Sequence, residues 1–273
     1  HYFLTLGNPP LTDEDGGSHV PTAGPLEGSP VKIGETFIED TFAEAFGMRF
    51  VRLLVTAHDE YWLSAAIRGI SGYRTSGIGC DMGTGVERRL SVEETPDGRP
   101  GALLLAFGFS TDSLAAALPR RAGQCLMTCP TTAVFDGLDP QLVPEQPTTV
   151  TEDHAPLGKH LRYFGDGFQK SKVVGGKRYW RIPVMDGEFF AVSEVRVGKG
   201  VAGGNIILQA AEPVAALAAA RRGAEALAEF PGVIAPFPGG VARSGSKVGS
   251  RYPKLKASTS EAFCPTLRGR VES

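Results

Sequence analysis

The chain has 273 residues, of which 42% are hydrophobic and 21% charged, so it is long enough to bury a core and is neither a coiled coil nor a fully disordered chain. Its formal net charge of -2 disfavours nucleic-acid binding as the main function, because binding a polyanion needs a basic surface. The sequence has neither a membrane-spanning apolar stretch nor the basic-then-apolar order of a signal peptide, so we expect a cytoplasmic protein without a membrane partner.

The first segment, residues 1–32, mixes prolines and glycines with little periodicity. Such a composition predicts an irregular N-terminal arm. The first residue is His1 and not Met, which indicates a fragment, a processed chain or an incomplete gene model.

Strand and helix signals alternate in the segment that follows. The β-branched and apolar run Phe50–Thr56 predicts a strand, and Asp59 is a suitable N-cap for a helix that ends at Gly72. Apolar patterning then predicts a strand, a strand, a helix and a strand at residues 75–80, 102–109, 112–118 and 124–128. The order β-α-β-β-α-β is that of the ferredoxin-like split βαβ unit, an antiparallel sheet with two helices on one face.

The second half of the chain begins with hairpin signals between residues 161 and 198. The glycine-containing turns Gly165-Asp166-Gly167, Gly175-Gly176 and Asp186-Gly187 separate short runs of aromatic and β-branched residues. A strand over 205–210, a helix that opens at Pro213 and a strand over Val233–Ala235 follow. This order begins a second β-α-β unit that the sequence does not complete.

The predicted fold class is therefore α+β, with two lobes that are each a ferredoxin-like split βαβ. We expect the arm over 1–32, a proximal lobe over 33–150 and a distal lobe over 151–273 that is incomplete at its C-terminus. A missing strand-helix-strand would leave an unpaired sheet edge and an exposed apolar face.

The segment most suggestive of a ligand is 236–250 (PFPGGVARSGSKVGS) together with the lysines after it. Five cationic residues fall within fourteen positions: Arg243, Lys247, Arg251, Lys254 and Lys256. Glycine lets backbone amides approach an oxyanion, and Ser and Lys add directed and diffuse contacts, so an anionic ligand is predicted. A solvated loop is the alternative, because the phosphate-binding pattern GxxxxGK[ST] is absent.

Three other glycine- or threonine-containing segments are also candidates for ligand contact, and each has a purely structural interpretation as the alternative. FGDGF at 164–168 is more typical of a hairpin turn. AGGN at 202–205 is also typical of a bulge or a close backbone approach. In TCPTTAVFD, residues 128–136, Pro130 is expected to end a strand and leave Thr131 and Thr132 to cap a turn or helix.

No metal site or histidine-based triad is predicted. The four cysteines are unevenly spread, contain no CxxC pair and have no nearby histidine to complete a four-ligand set. The five histidines are scattered along the chain.

Taken together, these segments resemble the formylmethanofuran:tetrahydromethanopterin formyltransferase family. The matching stretches run in the family's order and are IEDTFAEAF (38–46), ETPDGRPG (94–101), GQCLMTCPTTAVFD (123–136), FGDGF (164–168), VAGGN (201–205), PFPGGVARSGSKVGS (236–250), LKAST (255–259) and CPTL (264–267).

The resemblance implies transfer of a formyl group between the amine of methanofuran and N5 of tetrahydromethanopterin. It implies no metal and no tightly bound cofactor, since both carriers are substrates. It also implies either a homo-oligomer or a place among the subunits of a formyltransferase/hydrolase complex, the latter typical of the bacterial branch that this composition resembles. A non-catalytic assembly subunit of such a complex is the alternative.

The resemblance further implies which residues contact the carriers, whose tails are anionic. The expected cleft and tail-binding residues are Thr131, Thr132, Asp136, Gly204, Asn205, Ser244, Gly245, Ser246, Lys247 and Lys256. The family's catalytic glutamate corresponds to a position beyond Ser273, so no catalytic residue is assigned.

Overall fold

The structure is a computed structural model that describes residues 2–8, 31–38, 45–72, 80–145, 149–243, 246–255 and 257–271. For residues 2–8, 31, 204–205, 246–248 and 257 it describes the backbone alone. The strands are β1 Tyr2–Asn8, β2 Val31–Ile33, β3 Thr36–Ile38, β4 Ala45–Thr56, β5 Gly83–Leu90, β6 Gly101–Gly108, β7 Ala133–Asp136, β8 Val150–Pro156, β9 Lys170–Val174, β10 Lys177–Val184, β11 Gly187–Val192, β12 Glu194–Leu208, β13 Ser246–Val248 and β14 Ala257–Thr259. The helices are α1 Glu60–Gly72, α2 Thr111–Cys125, α3 Gly158–Leu161 and α4 Pro213–Leu227.

A ten-stranded sheet organises the fold. Its main path is β1-β12-β4-β7-β11-β10-β9, while β6 joins β4, β5 joins β6 and β8 joins β12. The pairing of β7 with β11 is parallel, and the other pairings of this sheet are antiparallel. Helices combined with a mainly antiparallel sheet confirm the α+β class.

The first unit has the predicted element order, β4-α1-β5-β6-α2-β7. In the sheet these strands lie in the order β7-β4-β6-β5, all antiparallel, which is the arrangement of a split βαβ unit. Asp59 caps α1 as predicted, because its Oδ1 accepts hydrogen bonds from the amides of Tyr61 (2.9 Å) and Trp62 (3.1 Å). Whether the second half completes a second lobe of this type stays a prediction.

Two strand predictions in this unit need comment. Residues 75–79 lie outside the described residues, and the strand that follows α1 is β5. The strand over 124–128 is wrong, because α2 extends to Cys125 and a turn follows it. The reason is periodicity: every fourth residue is buried at Leu114, Leu118, Ala122 and Leu126, so this apolar run completes a helix face.

The residues after this turn also differ from the prediction. The prediction that Thr131 and Thr132 cap a following turn or helix is wrong, because the element that follows them is strand β7. The β-branched and aromatic residues Val134 and Phe135 are fully or almost fully buried there, which favours an extended conformation within the sheet.

In the second half, the hairpins at Gly175-Gly176 and Asp186-Gly187 are confirmed. The hairpin turn at FGDGF is wrong: a single 3₁₀ turn over Arg162–Gly165 ends there, with Asp166 in the left-handed conformation at φ 48°. Helix α4 begins at Pro213 as predicted. The strand over 205–210 is the end of the longer β12.

The strand expected over Val233–Ala235 is absent from the described structure. Ile234 instead buries its side chain in a small cluster with Met48, Phe50 and Phe107. A Cβ at Gly85 would lie 3.0 Å from the Ile234 Cβ, so glycine in β5 makes room for this side chain.

The expected irregular arm contains a strand. β1 pairs with the carboxyl-terminal part of β12, from Tyr2 opposite Leu208 to Asn8 opposite Val201, so the irregular description is wrong for residues 2–8. The register passes from Thr5–Asn205 to Leu6–Gly203, which leaves Gly204 as the extra residue of a bulge. The bulge interpretation of AGGN is thereby confirmed.

Strand β12 joins the two halves of the chain. It pairs with β4 and also with β8 and β1. Strands from both sides of residue 150 therefore share one sheet, and the lobe boundary at 150/151 stays a prediction.

Two surfaces of this fold remain exposed. Helix α4 buries Ala216 and Ala220, while Val214 and Leu217 are 78% and 52% exposed. Strand β9 ends the main path of the sheet, and all five of its residues, Lys170–Val174, are exposed. No helix in the described ranges is long and apolar enough to span a membrane.

A buried ion pair fastens β4 to β5. Arg52 Nε lies 2.6 Å and its terminal nitrogen 2.7 Å from the two carboxylate oxygens of Glu87. Arg52 also donates to the Glu145 carbonyl at 2.8 Å, and Glu87 accepts from the Gly232 amide at 2.9 Å. Both side chains are less than a tenth exposed, so four distant segments meet at this pair.

We expect Glu87→Gln to lower the free energy of unfolding by about 3–5 kcal/mol, because it leaves the Arg52 guanidinium buried without its countercharge. Urea denaturation of both proteins measures the difference. The matched control is Glu225→Gln, which removes an exposed partner of Arg221 on α4 and should cause no measurable change. A loss below about 1 kcal/mol for Glu87→Gln would contradict the expectation.

Candidate functional site

Thr131 is held at the amino end of β7 in a left-handed backbone conformation, with φ 67°. Its hydroxyl accepts a hydrogen bond from the His58 amide at 3.0 Å, and its amide donates to Asp186 Oδ2 at 2.6 Å. Its carbonyl accepts from the Arg99 guanidinium. A threonine rarely adopts this conformation, so these contacts compensate a local strain.

The same guanidinium connects Thr131 to the ETPDGRPG loop. Arg99 donates to the hydroxyl of Thr56 at 2.9 Å and to Asp97 Oδ2 at 2.7 Å. Thr56 is fully buried and donates to the same oxygen of Asp97 at 2.7 Å. Two of the sequence motifs thus form one hydrogen-bonded node at the ends of β4 and β7.

Thr132 faces the interior. It is 3% exposed, and its hydroxyl donates to the Leu126 carbonyl at 2.5 Å. This bond closes the turn between α2 and β7, so the side chain positions the node and its hydroxyl proton is already engaged.

Asp136 lies at the opposite end of β7, in a cluster of four charged groups. Its Oδ2 is 3.2 Å from both Lys177 Nζ and Arg196 Nε. Asp139 lies 2.6 Å from Lys177 and 3.7 Å from Arg196. Both carboxylates are almost fully buried, and two cations balance two anions, which makes their burial tolerable.

The position of this cluster follows from how β4 pairs along one edge. β12 pairs with β4 up to Phe50, and β7 takes over from Leu53 onward. Asp136 and Arg196 therefore face each other across the gap where one strand replaces the other. A Cβ at Gly137 would lie 2.9 Å from the Arg52 carbonyl, so the chain needs glycine to leave β7 there.

Tyr179 borders the charged cluster. Burial, followed by the negative charges of Asp139 and Asp136, raises the pKa of its phenol to about 12. The ring stacks on Phe190, with centroids 4.8 Å apart. Tyr179 is therefore a neutral hydroxyl at physiological pH and contributes no charge to the site.

A cleft of about 570 Å³ opens over this cluster, and we call it the basic cleft. Its lining residues are Asp136, His154, Lys159, Arg162, Gly176, Lys177, Arg178, Trp180, Val192, Ser193 and Glu194. Four lysine or arginine side chains and a tryptophan in an open polar cleft suit an anionic organic ligand.

The sequence identified only Asp136 among these lining residues. The cationic and aromatic run Lys177–Trp180 on a hairpin strand was the available signal for the lining residues within it. It did not single them out because solvated strand faces also carry lysine and arginine.

Two of the other predicted residues, Gly204 and Asn205, lie far from this cleft. Gly204 and Asn205 lie in β12 next to the pairing of Gly203 with Ala45, whereas Asp136 pairs with Leu53. Eight residues along β4 separate these pairs by about 26 Å at roughly 3.3 Å per residue. Ser246 and Lys247 lie in β13, and Ser244, Gly245 and Lys256 lie outside the described residues.

Neither Cys125 and Cys129 nor the described metal-ligand residues indicate a second site. Burial raises the pKa values of Cys125 and Cys129, so neither is a ready thiolate nucleophile. Within the described ranges, no group of three His, Cys, Asp or Glu residues is arranged to hold a metal ion.

Two family models match the chain. Residues 31–184 match formylmethanofuran-tetrahydromethanopterin formyltransferase, and residues 187–273 match the model described as "FTR, proximal lobe". The term proximal in that description belongs to the carboxyl-terminal part of the chain, and not to the predicted proximal lobe over 33–150.

Curated relatives include this formyltransferase and a subunit of a formyltransferase/hydrolase complex. The chain is 52% identical over 237 residues to formylmethanofuran–tetrahydromethanopterin formyltransferase of Methylobacillus flagellatus, which covers 87% of this chain and 76% of the relative. It is 45% identical over 242 residues to one of the subunits of the formyltransferase/hydrolase complex of Methylorubrum extorquens, which covers 86% of this chain and 74% of the relative.

Solved structures agree with these matches. The chain superposes with a TM-score of 0.81 and 42% identity on the formyltransferase/hydrolase complex of Methylorubrum extorquens in complex with methylofuran, which covers 89% of this chain and 77% of that one. The formyltransferase of Methanosarcina barkeri gives a TM-score of 0.78 and 39% identity, with coverages of 89% and 78%.

We expect Thr131→Gly to be more stable than Thr131→Ala by about 0.5–1 kcal/mol. Both variants lack the hydroxyl, but only alanine has the penalty of about 1–2 kcal/mol for a left-handed backbone in the folded state. The larger conformational entropy of glycine in the unfolded chain offsets part of this difference. Urea denaturation gives the difference. The comparison Ala218→Gly, on the exposed face of α4, should show the opposite sign. The same sign at both positions would contradict the strain at Thr131.

We expect stability to fall between about pH 10 and pH 12 partly because of Tyr179. The pKa is raised in the folded state, so the stabilisation is fully present below the unfolded pKa near 10 and is lost as the pH rises toward 12. Urea denaturation across this range gives the free energy of unfolding at each pH. For Tyr179→Phe this free energy should decline less steeply with pH than for the wild type, by up to the slope that one bound proton contributes. Equal slopes for the two proteins would contradict the expectation.

Proposed function

The chain belongs to the formylmethanofuran-tetrahydromethanopterin formyltransferase family, and from that premise we propose that it transfers a formyl group between methanofuran and N5 of tetrahydromethanopterin. The observation that carries this proposal is the continuity of the family match across residues 31–184 and 187–273. The agreement of the fold with solved members supports it.

Moving a formyl group between two nitrogens passes through a tetrahedral intermediate with an oxyanion. Such a step needs polarisation of the carbonyl, a group that takes and returns a proton, and exclusion of water, which would otherwise release formate. In the proposal both carriers are substrates, and the enzyme needs no tightly bound cofactor.

Within this chain we assign two kinds of role. The basic cleft contacts a carrier, with Asp136 holding Lys177 and Arg196 in place beneath it. The hydrogen bond of Arg99 to the Thr131 carbonyl fixes the ETPDGRPG loop against the end of β4. Thr132 supports Thr131 by closing the turn that precedes it. The proposed contacts of Gly204, Asn205, Ser244, Gly245, Ser246, Lys247 and Lys256 with the carriers belong to the same proposal.

We propose that the protein works in the cytoplasm as part of an assembly. Its relative in Methylorubrum extorquens is one component of a formyltransferase/hydrolase complex, and this favours either such a complex or a homo-oligomer. The same relationship favours a second candidate function, that of a non-catalytic assembly subunit, which an activity measurement distinguishes from the first.

We expect the protein expressed from its intact gene, purified with any bound partners, to convert formyl-tetrahydromethanopterin and methanofuran into tetrahydromethanopterin and formylmethanofuran. Chromatographic quantification of both formyl carriers measures the transfer, and omission of methanofuran is the control. Full assembly without transfer in either direction would contradict the proposal and favour the assembly subunit.

A further inference from the structure

The charged groups of the basic cleft fall into two sets. Lys177 is neutralised by Asp136 and Asp139, and Lys159 Nζ lies 3.0 Å from a carboxylate oxygen of Glu194. Among the described residues, no carboxylate lies within ion-pair distance of Arg162 or Arg178. The cleft therefore presents two guanidinium groups that have no carboxylate partner among the described residues.

Arg162 is held in place by aromatic rings. Its guanidinium carbon lies 4.7 Å from the ring centre of Tyr163 and 4.8 Å from that of Trp180. One of its nitrogens donates to the Tyr163 hydroxyl at 2.8 Å. These contacts restrict the guanidinium, which reduces the side-chain entropy lost when an anion binds.

Ser193 fixes the parts of the cleft relative to one another. Its amide donates to the Arg178 carbonyl at 2.8 Å, and its carbonyl accepts from the Lys159 amide at 3.1 Å. Its hydroxyl accepts from the indole of Trp180 at 3.2 Å. One residue thus connects three residues that line the cleft.

Gly158 allows α3 to approach this close. A Cβ there would lie 2.7 Å from the Val192 carbonyl oxygen and 3.1 Å from the Trp180 ring, so any larger residue would push the turn away. Because Lys159 and Arg162 belong to or follow that turn, glycine at 158 sets their position over β10.

Arg178 lies two residues before Trp180 on β10, on the same face of the strand. It donates to the Ser171 hydroxyl at 2.7 Å, which leaves its charge unbalanced but its position defined. Guanidinium groups bind carboxylates and phosphates through paired N–H bonds, which a single lysine cannot offer.

We propose that Arg162 and Arg178 form an oxyanion-binding subsite in the basic cleft, which holds a carboxylate-bearing or phosphate-bearing part of a substrate away from the reacting formyl group. This inference rests on the proposed function for the identity of the substrates, and it names the part of them that this cleft takes. The two sources of the anion, a carboxylate chain and a phosphate ester, share this chemistry.

The first experiment measures binding without catalysis. Isothermal titration of the intact protein with triglutamate and, separately, with glycerol 2-phosphate should show which anion binds. We expect Arg162→Gln and Arg178→Gln each to weaken that binding about tenfold to a hundredfold, and added salt to weaken the binding to the wild-type protein.

The matched control is Arg181→Gln on the same strand, which removes an equal charge that is paired with Glu188 outside the cleft. It should leave the affinity within about twofold. Thermal melting of each variant verifies that it is folded. Equal binding by wild type and both cleft variants, or no binding of either anion to the wild type, would overturn the subsite.

A second experiment tests the proposed subsite and the proposed function independently of each other. In the transfer assay, both cleft variants should raise KM for one carrier about tenfold or more with kcat nearly unchanged, and this effect should vanish for that carrier lacking its tail anions. A fall in kcat that persists with the shortened carrier would overturn the subsite. Absence of transfer with intact anion binding would count against the proposed function alone.

Discussion

The division of one edge of β4 between two strands is the constraint on which the rest of the structure depends. β4 is buried almost continuously from Phe50 to Thr56, so its backbone must be paired along its whole length. β12 satisfies the first part of that edge and β7 the second, and the gap between them receives the charged side chains of Asp136 and Arg196. Arg52 also lies on β4, and its buried ion pair with Glu87 holds β5 and the adjoining segments against this strand.

Local periodicity in the sequence predicts most of the first unit, because burying one face of a helix or strand leaves a regular apolar spacing. It fails at residues 124–128, where a short apolar run fits a strand as well as the end of a helix, and only the spacing from Leu114 onward decides. It also fails for β1, whose pairing with β12 brings together residues about two hundred positions apart.

The candidate site was harder to predict than the family. Motifs identify the family because the comparison needs only the order of residues along the chain. The site depends on three-dimensional contacts, and Thr131 and Asp136 of one motif lie at opposite ends of β7 and contact different partners. Arg196 reaches Asp136 from 60 residues away, and Arg162 meets Trp180 only because a glycine lets a helical turn pack on a strand. These contacts are made by tertiary pairing and leave no local pattern.

The exposed strand β9 also limits the pairing of this sheet with strands of other molecules. Its free backbone groups are a template for another strand, yet Lys170 and Lys172 occupy two of its five positions. Two such edges meeting would bring lysines into proximity, and the repulsion would act before backbone hydrogen bonds form. Charge thus disfavours amyloid-like growth from this end of the sheet.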